Sequence, residues 1–376
     1  MLLVLMYIAI VELYLLIPPV RFLLKRKFGI EVYPFMILWK KRAEAKPIKK
    51  NRAIKVLFSI GLGLVFIWIA IFYIFIVPAM VGFIEGIFQG REAQPPIVPI
   101  IAGVTIKGIY ILYFALAASI AVLFHELLHV LAARSEGVKL RSWGIGLLFI
   151  FPLAFVEFDE ESFRSSGIMA KLRILSAGIL ANTIVAVVAF LVLQIITSNA
   201  LTAVVVVEVD KNWPADLAGM KNGDIIMSIN NSKIRSIRDL AQILKPYSNS
   251  TALFLVKVFR PGIGPKILKV LKPSEYPRLG IRVTETFVTQ SPSGMYVVDT
   301  PKIHSFRILQ WIYIINASLA AINAAPLFIT DGGKIVSELT NRFGSLGKMI
   351  SSTIQSFTVI LVIVTISLAL ITTIHG

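Results

Sequence analysis

The sequence predicts a polytopic α-helical membrane protein, with about six transmembrane helices, a re-entrant membrane segment and one soluble α+β domain set in before the last spans. Three observations carry this. Hydrophobic residues make up 56% of the 376-residue chain and charged ones only 16%, at a mean hydropathy of +0.80, far from the balance of soluble domains. Six apolar runs are long enough to cross a bilayer as helices, which takes about 20 residues each. Between the fourth and fifth runs the pattern changes to strand-like alternation.

The runs cover residues 2–24, 55–84, 108–133, 172–197, 305–329 and 351–374. The first has no small-residue cleavage site after it and leads into "RFLLKRK", so it reads as a retained span rather than a removed signal peptide. Eleven Lys and Arg residues from Lys25 to Lys55 face only Glu31 and Glu44, which puts that loop in the cytoplasm. Alternation then places 85–107 and 200–300 outside and 134–171 and 330–350 inside. The net charge of +17 is thus a loop-charge bias and no sign of nucleic-acid binding. Cysteine is absent, which excludes disulfides and thiolate metal sites, so any metal must be held by N or O ligands.

The stretch "WGIGLLFIFPLAFVEF", 143–158, is too short to cross twice and both its ends must be cytoplasmic. It is expected to dip into the membrane as a re-entrant loop or hairpin, with a surface-lying amphipathic segment as the alternative. The domain division is then 1–54, an N-terminal helix and basic cytoplasmic loop; 55–199, a membrane domain; 200–286, an extracytoplasmic domain; and 287–376, the C-terminal transmembrane helices. In the third segment, "TAVVVVEV" and "TALFLVKVF" read as strands and "SIRDLAQILKPY" as an amphipathic helix.

"FHELLH", 124–129, lies inside the third run. On a helix, His125 and His129 share a face and can hold one Zn²⁺ while Glu126 lies beside them. Ionisable groups in a span are costly and usually functional. A catalytic zinc takes three protein ligands, so a carboxylate or another His must complete the set. His304 and His375 fall near the outer boundaries. Asp331 in "NAAPLFITDGGK" is better placed: His125 is 18 residues past Lys107 and Asn323 is 18 past Ser305, about 27 Å along parallel-running helices. Pro326 and the Gly332–Gly333 pair are expected to break that helix and turn Asp331 back towards the histidines. Asn182, four residues after Gly178, and Asn323 are candidates for steadying an oxyanion or the substrate backbone. For Asn182, plain helix–helix packing is the alternative.

"FHELLH", "NAAPLFITDGG" and the intervening "GILAN" resemble the site-2 protease family of intramembrane zinc metalloproteases over nearly the whole chain. "WPADLAGMKNGDIIMSINNSKI" resembles the PDZ domains inserted in many of them. The resemblance implies one zinc per chain on His125, His129 and Asp331, Glu126 as catalytic base, and an active site in the cytoplasmic half of the membrane. It implies substrates that are membrane-spanning proteins, single-pass or already trimmed. Leu279, Gly280 and Ile281 in "YPRLGIRV" would supply a peptide-binding loop and strand edge, unless the domain is only a steric gate. Thr330 and Phe328 depart from the family's usual Leu and Pro, and the first two spans lie outside its core pattern. Three rivals remain in view: a membrane-anchored zincin with a soluble catalytic domain, a zinc transporter and an inactive peptide-tethering scaffold.

Overall fold

The computed structural model describes residues 17–33, 36–43, 52–89, 105–148, 151–198, 200–290 and 296–375, with Met6 and Ile10. In order, its elements are α1 (Pro18–Phe28), β1 (Ile30–Tyr33), β2 (Met36–Arg42), α2 (Arg52–Phe88), α3 (Tyr110–Glu136), β3 (Leu140–Leu148), β4 (Phe151–Phe158), α4 (Glu160–Arg164) and α5 (Ile168–Ser198). There follow β5 (Thr202–Val209), α6 (Pro214–Leu217), β6 (Ile225–Ile229), β7 (Ser232–Lys233), α7 (Ile237–Leu244), β8 (Ala252–Arg260), β9 (Gly264–Lys272), β10 (Ile281–Gln290) and β11 (Tyr296–Val298). The chain closes with α8 (Thr300–Ala324), α9 (Asp331–Thr340) and α10 (Gly344–His375). Two compact units emerge, Met1–Leu191 with Ile308–Gly376, and Val192–Arg307.

Among the described residues five stretches are long and apolar enough to cross a membrane: Arg52–Gly86, Tyr110–Glu136, Ile168–Ser198, Thr300–Ala324 and Asp331–Ser367. The protein is a multi-pass membrane protein with a β-rich domain. Most of the expected first span, 2–24, lies outside the described residues, and its end falls in α1. Residues 330–350, expected as a loop, are largely helical. Thr330 caps α9 through its Oγ1, which accepts from the Gly333 N–H at 3.2 Å.

Small residues let the membrane helices approach closely. Ala132 and Ala133 of α3 and Ala177 of α5 pack around Phe58 of α2, while Ala117, Ala118 and Ala121 meet Ile315 of α8. Beside the first cluster, Glu136 of α3 is buried between Arg173 of α5 at 3.1 Å and Lys55 of α2 at 3.7 Å. This ties three helices in register at the end where the histidines lie.

The stretch 143–158 forms most of the hairpin β3–β4. Trp143, Ile145 and Leu147 alternate with Gly144 and Gly146, a period-two pattern that suits a strand. Unexpectedly, the basic loop supplies a second hairpin, giving an antiparallel sheet in the order β1-β2-β3-β4. Trp39 pairs with Ile145, which pairs with Ala154. Gly144 and Gly146 admit this partner strand: a Cβ at either would strike the carbonyl of Trp39 or Ile37 on β2.

The second unit is built on a sheet ordered β11-β10-β5-β6-β8-β9, with β7 beside β6. Its core gathers Val204, Ile226, Phe254 and Val256, each at most 1% exposed. Ser236 and Asp239 form a capping box at the start of α7. Fully buried Asp224 takes both Nε and Nη2 of Arg260 at 2.7 Å. Removing one partner of such a pair leaves a buried charge, at about 3–5 kcal/mol. Arg260→Ala is therefore expected to destabilise this unit by about 3 kcal/mol, seen as faster amide hydrogen exchange in β6 and β8 with the membrane helices unaffected.

Candidate active site

His125 and His129 lie on α3 and Asp331 is the first residue of α9. Their donor atoms form a nearly equilateral triangle: His129 Nε2 is 3.1 Å from His125 Nε2 and 3.1 Å from Asp331 Oδ2, and His125 Nε2 is 3.3 Å from the same oxygen. Zinc held tetrahedrally at about 2.0–2.1 Å spaces its ligand atoms by about 3.3 Å, so the set fits that ion. His129 and Asp331 are buried and His125 partly so. The other carboxylate oxygen, Oδ1, lies 3.6 Å from Lys334 Nζ, leaving Oδ2 alone to face the histidines.

Three positions on α5, four residues apart and thus on one face, hold the imidazoles. His129 Nδ1–H donates to the carbonyl of Ile174 at 2.8 Å, which leaves Nε2 with its lone pair for a metal. A Cβ at Gly178 would overlap both rings. The Asn182 amide lies 3.3 Å from His125 Nδ1, and this side chain is fully buried. It is the amide nitrogen Nδ2 that faces Nδ1, and the buried Oδ1 has no hydrogen-bond partner among the described residues; a metal on His125 Nε2 requires Nδ1–H, and turning the amide over would bring that unpartnered oxygen to it as acceptor. By sequence, Asn182 in "GILAN" suits either an oxyanion or helix packing; in the fold it meets a ligand histidine, and the 174–178–182 spacing is the signal that points there.

The Asp331 limb is built differently from expectation. Pro326 follows the end of α8, but the Gly332–Gly333 pair lies inside the first turn of α9 and breaks nothing. Added Cβ atoms there would strike the carbonyls of Ala324 and Leu327, so the glycines let α9 press against the preceding turn. Thr330 Oγ1 also donates to Ala325 O at 2.6 Å, fastening that turn. Gln355 of α10 donates to Gly333 O at 3.3 Å and to Ser351 Oγ at 2.7 Å, holding α9 from behind. No local pattern in the sequence announces this polar cluster.

Glu126 is half-buried and lies on another face of α3, where it lines a cavity with Leu123, Leu127 and Val130. Asn323 is partly buried near the end of α8 and makes no side-chain hydrogen bond among the described residues. In the other unit, Leu279 is a core residue, 2% exposed, and Gly280 adopts φ +78° with its backbone against Trp213. The carbonyls of Leu279 and Gly280 accept from Ala215 N and Asp210 N. Ile281 begins β10, whose 281–287 stretch pairs with β5.

A family model, peptidase family M50, matches residues 113–370. An uncharacterized protein of Methanocaldococcus jannaschii is 32% identical over 266 residues, 67% of this chain and 65% of that protein, so the match spans just under two thirds of that relative's length. A protein of Clostridium acetobutylicum named as a candidate zinc metalloprotease is 22% identical over 58% of this chain and 83% of its own. A membrane-bound transcription factor site-2 protease homolog of Arabidopsis thaliana is 30% identical over 40% of this chain and 30% of its own.

The packing of α5 on the histidines yields a direct test. Gly178→Val is expected to abolish zinc retention in the purified protein while leaving far-UV circular dichroism unchanged. Asn182→Ala should weaken zinc binding by about 10- to 100-fold, as loss of an outer partner of a ligand histidine does, read by competition with a fluorescent chelator.

Proposed function

The chain belongs to peptidase family M50, and from that premise we propose that it is a zinc metalloprotease that hydrolyses peptide bonds within or next to the transmembrane segments of other membrane proteins. The observation that carries this is the triangle of His125, His129 and Asp331 with Glu126 on the adjoining face of the same helix.

When bound by those three residues, zinc supplies Lewis acidity that polarises a carbonyl and acidifies a water. Glu126 takes the proton of the attacking water and delivers it to the leaving amine. Asn182, committed to His125 Nδ1, orients that ligand, and Asn323 is left as the side chain available to steady the oxyanion or the substrate backbone. Ile174 O and Asn182 keep both imidazoles aimed.

A helical substrate hides its amides in i to i−4 bonds, so the segment to be cut must unwind. The β1–β4 sheet offers a strand edge for the extended stretch, at β4, which has no strand partner on its outer side among the described residues. In this reading the sheet dips into the membrane, the site lies in its cytoplasmic half, and the Val192–Arg307 unit is extracytoplasmic and PDZ-like, with Leu279, Gly280 and Ile281 at its groove. Substrates are single-pass or already trimmed spans, as in the release of a membrane-held regulator.

Glu126→Gln is expected to retain one zinc per chain and to cut a model single-span protein about 10²- to 10⁴-fold more slowly than wild type, the usual contribution of a general base. If the variant holds zinc and cuts as wild type does, Glu126 is not the base; if neither cuts any span while zinc moves across vesicles, a transporter replaces the protease. Leu147→Pro, in an interior strand of the sheet, should stop cleavage with zinc retained. The companion position for that test, Phe149, lies outside the described residues.

A further inference from the structure

Ser119, Val122, Leu123, Glu126, Leu127 and Val130 recur at helical three- and four-residue spacing and form one face of α3. At its far end Val130 packs against the cluster around Phe58. The face lines two adjoining cavities of ≈ 410 Å³ and ≈ 430 Å³ whose opposite wall is the β1–β4 sheet, and Leu123 and Ile145 belong to both. Glu126 lies in the second, opposite Trp143, Ile145, Ala154 and Val156. The sheet face is apolar and stays uncovered: Trp143 is 37% exposed, Ile145 41% and Leu147 44%.

Charge marks one end. Lys41 and Arg42 line the Glu126 cavity, and among the described residues neither makes a salt bridge, whereas Lys40 is paired with Glu157 at 2.6 Å. A strand added to the outer edge of β4 would project alternate side chains onto the face that carries Ala154 and Val156.

Resting on the protease reading above, we infer that the groove between α3 and the sheet is the substrate channel, and that the cavity beside Glu126 is a specificity pocket. It takes one large apolar side chain of an extended membrane segment whose acidic flank meets Lys41 and Arg42. Apolar walls with one carboxylate and a basic end fit that occupant and reject a polar or basic one.

The test uses the full-length protein in neutral detergent, with single-span peptides that vary one residue next to the cut (Phe, Leu, Ala or Asp) and carry an acidic or a basic flank. Ala154→Phe fills the pocket and should lower the kcat/KM ratio of Phe over Ala peptides by at least about tenfold, the scale of steric discrimination in an apolar pocket. Lys41→Glu with Arg42→Glu should invert the flank preference. Equal scaling of every peptide by these variants overturns the pocket, and a flank preference seen only after anionic vesicles are added overturns the charge reading in favour of lipid contact. Photo-crosslinking from benzoylphenylalanine at position 154, in the Glu126→Gln background, reads occupancy without catalysis. Adducts to the apolar segment, even where wild type cuts nothing, keep the groove while the protease reading falls; cleavage by wild type without such adducts removes the groove and leaves the protease.

Discussion

The metal-binding geometry depends on how closely the backbone of α5 can lie against two imidazole rings. Gly178 leaves no side chain between the helices, so the rings of His125 and His129 rest on bare backbone. That proximity brings the carbonyl of Ile174 within 2.8 Å of one Nδ1 and the amide of Asn182 within 3.3 Å of the other. With both Nδ1 atoms engaged, both Nε2 atoms turn the same way. Both orienting groups thus come from the protein itself.

The rest of the membrane unit preserves this approach. Alanines at the contacts between α3, α5 and α8 keep the axes close, and the buried Glu136 with Arg173 and Lys55 prevents α5 from sliding along α3. A buried ion group adds little net stability, yet it penalises every register that separates the charges. Asp331 is fixed by other means, because it starts a helix and has little intrahelical support of its own. The Thr330 cap, glycine-mediated contact with the preceding turn and the Gln355 bonds to Gly333 and Ser351 together set its position.

What the sequence revealed follows from which signals are local. His125, Glu126 and His129 announce themselves by spacing in an apolar run, and the helices and the strands of the Val192–Arg307 unit by hydropathy and alternation. "TAVVVVEV" corresponds to β5 residue for residue. Asp331 needed only a helix-length argument. What was hidden depends on pairing across the chain: residues 30–42 read as a charged loop because the strands that complete them lie more than a hundred residues away at 140–158. Thr330 reads only as a departure from the family's usual Leu, although its hydroxyl caps α9, and Gly332 and Gly333 read as helix breakers, although they sit within the first turn of that helix.

The placement of Glu126 follows from helix geometry. Adjacent residues on a helix project about 100° apart, so the residue after His125 cannot point where His125 points. The two histidines, one turn apart, face α5 and α9, and Glu126 is turned towards the sheet. One helix thereby presents metal ligands to the interior against α5 and α9 and a carboxylate to an apolar groove. In the proposed function, helix and sheet act on different parts of the reaction: the helix would fix the reacting groups, and the sheet opposite Glu126, assembled from two distant hairpins, would select which stretch of substrate lies against them.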